Sequence, residues 1–292
     1  AGLETQSAND GDIQEFNYKN LIGGWLNFSL GYKNTELGNF DIPDNAVIHD
    51  DDHDDDHDDD HDEEMLSYAE NSDFASEAKQ FGISRTGDWG YFGIGYDNLE
   101  SLYGIPFHGD EHEDEETLPH ADDDDDHDEH EGERIFSTTD QTSYNLAGLY
   151  NINGSLVNSV NYNWRDTEYS LTEAHAEEEG HDDHAGEDEH APTVFMNDAT
   201  EYGAIFDLST GAFTQKVAFN FVDEDSSIVG EEAFMNPANS EEFTLGYFVS
   251  TDLDLFYIDA GFRIDQIERT GSVTDEDHGD IDYYKVDDDT NS

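Results

Sequence analysis

The chain has 292 residues and a formal net charge of −65 at pH 7, from 75 acidic residues against 10 lysines and arginines, and it contains no cysteine. This balance excludes nucleic acid as a partner and excludes docking onto anionic lipid through basic patches. The missing cysteine excludes a disulfide framework and thiolate chemistry.

No apolar run approaches the roughly 20 residues of a membrane-spanning helix, and no signal peptide is expected within these residues. A spanning β-strand needs only about 9 to 11 residues with every second one apolar, so a membrane is not excluded. The first residue is Ala1, not methionine, which suits a mature product or an excised piece.

Taken in order, the chain alternates with period two. After a polar start, residues 13–21 lead through Gly23-Gly24 into 25–33, where Leu26, Phe28, Leu30 and Tyr32 share one face and Asn27, Ser29 and Gly31 the other. The next strands are expected at 74–85 and, across Thr86-Gly87-Asp88, at 89–101, with Phe92, Ile94 and Tyr96 opposite Gly93 and Gly95. Residues 134–152 follow, with Tyr144, Leu146, Tyr150 and Ile152 aligned. Asn153-Gly154 is a strong two-residue hairpin signal, opening a strand at 155–169. Strands at 200–208 and 212–222 pair across Ser209-Thr210-Gly211, and the last candidates are 243–249, 255–267 and 281–286.

That makes about eleven strands, with short and long connections in alternation. The long acidic connections span 37–73, 104–133, 170–193 and 270–280. In an up-and-down sheet every second connection lies at the same end, so these four share one end and the tight turns the other. One strand face is rich in Phe, Tyr, Trp and Leu, and the other in Gly, Ser, Asn and Thr. This is the pattern of a lipid-facing wall around a hydrated lumen. The expected fold is an all-β, antiparallel up-and-down transmembrane β-barrel. The competing fold is a soluble β-sandwich with an aromatic core.

The long connections hold the chemistry. His49 to Glu64 reads HDDDHDDDHDDDHDEE, and two less regular runs span His108 to Glu133 and Glu173 to His190. Together they hold 13 of the 14 histidines, 36 of the 75 acidic residues and no lysine or arginine; the last histidine, His278, sits in TDEDHGD. Runs of like charge are usually solvated loops that bind nothing in particular. Histidine confined to them points further, because imidazole and carboxylate are ligands for a borderline divalent ion and no thiolate competes. Zinc is the first expectation, although nickel, copper and manganese share these ligands. The candidate ligands are His49, His53, His57, His61, His108, Asp110, His112, His120, His127, His130, His175, His181, His184 and His190. They are expected to act as a multidentate sponge that weakens in acid, as protons compete for imidazole.

The run WGYFGIGYDNLESLYGIPFHGDEHEDEE, from Trp89 to Glu116, resembles a strand and loop of TonB-dependent outer-membrane receptors for zinc, where YG-[IL]-P leads into a histidine-rich extracellular loop. GYKNTELGNFDIPDNA, from Gly31 to Ala46, is similar to the preceding strand and loop. The tract 142–165, the segment 229–234 and Ala260-Gly261-Phe262-Arg263 also resemble that family's order of elements. The residues matched to its motif are Tyr103, Gly104, Ile105, Pro106, His108 and His112.

The resemblance implies a barrel of 22 strands closed by a plug and energised by the inner-membrane TonB complex, in a monomeric protein embedded in outer-membrane lipid. Neither a plug nor a TonB box is found, so the chain reads as an internal piece of about half a barrel. Two rival functions are a secreted or periplasmic soluble metal buffer and a passive porin-like barrel. Enzymatic activity is not expected, since HExxH, GxSxG and P-loop motifs are all missing.

Overall fold

The computed structural model describes residues 1–43, 67–106, 135–175, 192–230, 233, 235–277 and 280–291. Among them twelve strands form one sheet in sequence order: β1 (Gly2–Gln6), β2 (Gly11–Ile22), β3 (Leu26–Leu37), β4 (Phe74–Gly87), β5 (Gly90–Gly104), β6 (Ile135–Asn151), β7 (Ser159–His175), β8 (Thr193–Asp207), β9 (Phe213–Val229), β10 (Ala238–Leu253), β11 (Phe256–Asp277) and β12 (Asp280–Asn291). Each pairs antiparallel with its chain neighbour, so the sheet is an up-and-down meander. All eleven expected strands are present, and the short β1 is an addition.

Most strands extend further toward the long-connection end than alternation predicts. β7 continues to His175 and β8 begins at Thr193, so the expected loop 170–193 is shorter at both ends. The expected loop 270–280 is mostly strand, because β11 runs to Asp277 and β12 starts at Asp280. The extensions of β7 and β11 are polar or small on the outer face, at Ser170, Thr172 and Ala174 and at Thr270 and Ser272, so hydrophobic alternation does not mark them and the backbone ladder does; that of β8 carries Val194 and Met196 on the same face. Asn153-Gly154 is also corrected. Asn153 has the positive φ of 52° expected, but the connection is longer than two residues: the Ile152 and Asn153 amides donate to the Asn158 carbonyl at 2.8 and 2.9 Å, and Gly154 N–H donates to Val157.

The register shows which residues share a face, since directly paired residues point the same way. One row crosses eight strands as Phe28, Ile83, Ile94, Leu146, Trp164, Tyr202, Phe221 and Phe243. On this face the apolar stretch starts at each tight turn and ends abruptly in polar residues. β3 reads Leu26, Phe28, Leu30, Tyr32, then Asn34 and Glu36; β7 reads Val160, Tyr162, Trp164, then Asp166 and Glu168. In β9, Phe219 and Phe221 give way to Asp223 and Asp225. The nine residues from Phe213 to Phe221 of β9, in a strand tilted by about 40°, rise roughly 20–25 Å, the height of a barrel's apolar band.

Among the described residues no interior core stands behind that face: of their apolar side chains only Ile135, Ala204 and Ile228 are buried, while Phe16 is 42% exposed, Phe262 57% and Ile264 50%. A water-soluble sandwich buries such side chains, so that alternative fails. At the tight-turn end Trp89 packs on Tyr150 with ring centres 6.4 Å apart, and the Arg85 guanidinium lies 4.9 Å from the Trp25 ring. Rings with an apolar body and a polar edge favour a membrane–water boundary.

The opposite face carries Asn27, Ser29 and Gly31 on β3 and Gly93, Gly95 and Asp97 on β5. Asn145 Nδ2 donates to Asp97 Oδ2 at 3.1 Å, and Arg165 Nε donates to Asn145 Oδ1 at 3.0 Å, a polar chain across β5, β6 and β7. Toward the long connections this face turns apolar, at Leu37, Phe74, Leu171 and Phe195, which alternation alone does not predict.

Both sheet edges are open over their apolar parts. β1 pairs only residues 11–15 of β2, leaving Phe16–Ile22 with one neighbour, and β12 pairs only residues 266–277 of β11, leaving Phe256–Asp265 likewise. In lipid those backbone groups require partners.

Candidate functional site at the long-connection rim

The meander forces the histidine-bearing segments to one rim. Segments 44–66, 107–134 and 176–191 lie between β3 and β4, β5 and β6, and β7 and β8, and all three links join strand ends on the side opposite the tight turns. The β9–β10 and β11–β12 connections lie on that side too, as does the tight β1–β2 turn, so tight turns are not confined to the other end.

The roots of these segments are built from backbone hydrogen bonds. Before and after the first, Ile42 N–H donates to Ser67 O at 2.9 Å and Ala69 N–H donates to Phe40 O at 2.8 Å. Ser72 fastens this ribbon: its hydroxyl donates to Ala69 O at 2.6 Å and accepts from Phe40 N–H at 2.9 Å, while its own N–H donates to Asn39 Oδ1 at 3.0 Å. The β1–β2 turn braces it from outside, since Asp41 N–H donates to Ala8 O and Gly38 N–H donates to Asn9 O.

The second root explains the Tyr103-Gly104-Ile105-Pro106 motif locally. Gly104 N–H donates to Asp73 O at 3.0 Å, and a Cβ at Gly104 would lie 2.4 Å from the Asn71 carbonyl oxygen, closer than atoms approach. Only glycine fits there. Ile105 N–H donates to Ile135 O at 2.9 Å, bringing the two flanks of the second run together. Pro106 has no N–H and stops the ladder at that point. The third root is the Glu173 and Thr193 pair between β7 and β8.

Of the candidate ligands, His175 is the last residue of β7, in register with Ile135. His49, His53, His57, His61, His108, Asp110, His112, His120, His127, His130, His181, His184 and His190 lie outside the described residues, as does His278. Among the described residues no group of three or more histidines and carboxylates is arranged to hold a metal ion.

The rim also carries groups that sequence reading misses. Asn9 Oδ1, Thr35 Oγ1 and Ser137 Oγ are buried without a hydrogen-bond partner, and Ser137 is 0% exposed. In the sequence Ser137 is one small polar residue among many. Only its burial and register set it apart.

No protein-family model matches the sequence, and the search of curated proteins finds no relative. Among solved structures, the FrpB iron transporter from Neisseria meningitidis (F3-3 variant) matches with a TM-score of 0.61 at 13% identity, over 97% of this chain and 42% of that one. At that identity the likeness shows the fold: this chain has the architecture of part of that transporter's barrel. It spans less than half of the transporter's length.

Proposed function

We propose that this chain is part of the wall of an outer-membrane, TonB-dependent receptor that takes up a divalent metal ion, zinc first, which its His/Asp/Glu-rich segments capture at the outer mouth. The observation that carries the reading is positional. Every histidine belongs to a connection, or to the strand end leading into one, on a single rim, opposite the Trp25, Trp89 and Tyr150 boundary.

Capture at that rim does not need tight binding. Dozens of weak carboxylate and imidazole ligands beside an opening raise the local concentration of a cation, as tethered ligands do generally. Imidazole mixed with carboxylate favours borderline ions such as Zn²⁺ over purely oxygen-loving ones such as Ca²⁺. The matched transporter is named for iron, which makes ferrous iron the first competitor to test. Passage inward then depends on a plug moved by the TonB complex, as the sequence resemblance implies.

The soluble metal buffer has little support, because the apolar face is exposed rather than folded inward. The passive porin shares the barrel and differs in energy dependence. Zinc and iron competition binding to the purified protein in detergent, with the histidines and acids of the three runs replaced by serine and glycine as control, tests the capture step. Uptake of radioactive zinc with and without the protonmotive force separates the receptor from the porin. Equal zinc retention by native and replaced proteins would end the proposal.

A further inference from the structure

The outer face changes character at a definite height. On β7, β9 and β10 its next residue beyond Trp164, Phe221 and Phe243 is Asp166, Asp223 and Glu241. One alternation step is about 6.7 Å of strand, or about 5 Å of rise at a tilt of about 40°. The polar headgroup layer is about 5–8 Å thick on each side of a bilayer. These first carboxylates therefore stand among headgroups and not in open water.

A second tier follows about 10 Å above the rings, at the outer limit of that layer. Here the register sets like charges opposite one another: Glu100 faces Glu77 and Asp140, and Asp198 faces Glu168 and Asp225. Opposed like charges destabilise a sheet unless something neutralises them. The protein supplies little. Beyond the apolar stretch Lys79 is the only base among the described side chains of this face, and Glu77 already holds it in an ion pair. Lys19, Lys33, Arg165, Lys216, Arg263 and Arg269 point to the lumen instead. Metal capture does not explain these carboxylates, because they face away from the opening. At the tight-turn end the same face carries Arg85 beside Trp25, and none of its strand residues there is acidic. The wall thus meets its two leaflets with different charge.

We propose that this belt docks the barrel wall on the phosphate groups of the adjoining lipid leaflet through bridging Mg²⁺ or Ca²⁺ ions. Carboxylate and phosphate oxygens are hard donors that suit those ions, and no histidine stands among the belt residues to favour a softer one. Among the described residues no three histidines or carboxylates are grouped to hold a metal ion. One or two belt oxygens therefore leave positions for phosphate and water, which makes lipid the second half of each bridge. Without such ions an anionic leaflet repels the belt. Docking of this kind rests on the lipid-facing assignment of the apolar band and is independent of which ion the receptor takes up.

Trp164 adjoins the belt and can report on it. The test uses the full chain in vesicles, with Trp25→Phe and Trp89→Phe leaving Trp164 as the one tryptophan. The histidines and acids of the three runs are replaced by serine and glycine, so that the wall alone can hold ions. Quenching by brominated phosphatidylglycerol diluted into phosphatidylcholine measures which lipid adjoins the ring. MgCl₂ is expected to raise the preference for phosphatidylglycerol about fivefold over EDTA. Asp166→Asn, Glu168→Gln, Asp223→Asn and Glu241→Gln together should abolish that rise. Asp97→Asn, Glu201→Gln, Glu224→Gln and Glu242→Gln, on the lumen face, should leave it unchanged. Migration on unheated gels checks that each variant folds.

An equal rise in NaCl of matched ionic strength would mean screening alone and refute the bridge. An undiminished rise in the belt variant, or an equal loss in the lumen variant, refutes it as well. Preference for brominated phosphatidylethanolamine in EDTA would show the carboxylates taking ammonium headgroups directly, which also overturns it. If no brominated lipid quenches Trp164, the lipid-facing assignment falls and the bridge with it, whereas zinc retention by the runs is read separately in detergent.

Discussion

Placing arginine at two consecutive positions of β3 separates a lipid-facing wall from any other sheet. Phe28 lies mid-way along the apolar stretch of β3, with its ring edge-on to Phe81 at 5.5 Å and to Tyr18 at 6.2 Å. Arginine on the lipid face near the bilayer midplane costs about 2–4 kcal/mol. Losing the two edge-on ring contacts adds about 0.5–1.5 kcal/mol each. Phe28→Arg should therefore destabilise the barrel by about 3–7 kcal/mol. Asn27 is one residue away and points to the opposite face, where Asn27 Nδ2 donates to Ser84 Oγ at 3.3 Å. Asn27→Arg loses that bond, about 0.5–1.5 kcal/mol, and its charge stays in water. Reversible urea unfolding in lipid vesicles, followed by tryptophan fluorescence, measures both. Equal penalties, or a neutral Phe28→Arg, would refute the assignment of faces and the membrane reading built on it.

Zinc capture should weaken as pH falls from 7.5 to 5.5. The sign follows from competition: histidine titrates near pH 6.5, its protonated form cannot ligate, and surrounding carboxylates favour that form. Equilibrium dialysis at the two pH values checks this, and pH-independent binding would shift the ligand role from imidazole to carboxylate. Gly104→Ala should cost about 2 kcal/mol or prevent correct folding of the rim, because its Cβ meets a backbone oxygen at 2.4 Å. Gly95→Ala is its control: the nearest atom to a Cβ there is 3.7 Å away, so that variant should be neutral or more stable by about 0.5–1 kcal/mol. Urea midpoints compare the two, and equal effects would contradict the packing at the second root.

Alternation made the two faces of the sheet legible from sequence. Leu26, Phe28 and Leu30 against Asn27, Ser29 and Gly31 follow from strand geometry with no tertiary information. The polar strand extensions were not legible. Residues 170–175 and 270–277 carry mostly Glu, Asp, Ser and Thr where a water-exposed wall tolerates them, so they read as loop, whereas 193–199 is half apolar (Val194, Phe195, Met196) and reads as loop because it adjoins an acidic run. They are strand because each continues a ladder that its neighbours have begun. The Asn153-Gly154 signal identified a turn but not its length, which depends on where β6 and β7 meet.

For the site, composition alone located the candidate metal ligands in a few segments, because imidazole and carboxylate are recognisable by type wherever they lie. Chain order placed those segments at one rim, because an antiparallel meander can put alternate connections nowhere else. Only the tertiary structure decided which strand residues stand beneath them. That Ser137 faces Glu173, or that Gly104 touches Asn71, depends on inter-strand register, and a shift of one residue would send each side chain to the other face. Register is set by many backbone and packing contacts acting together, so no short stretch of sequence carries it.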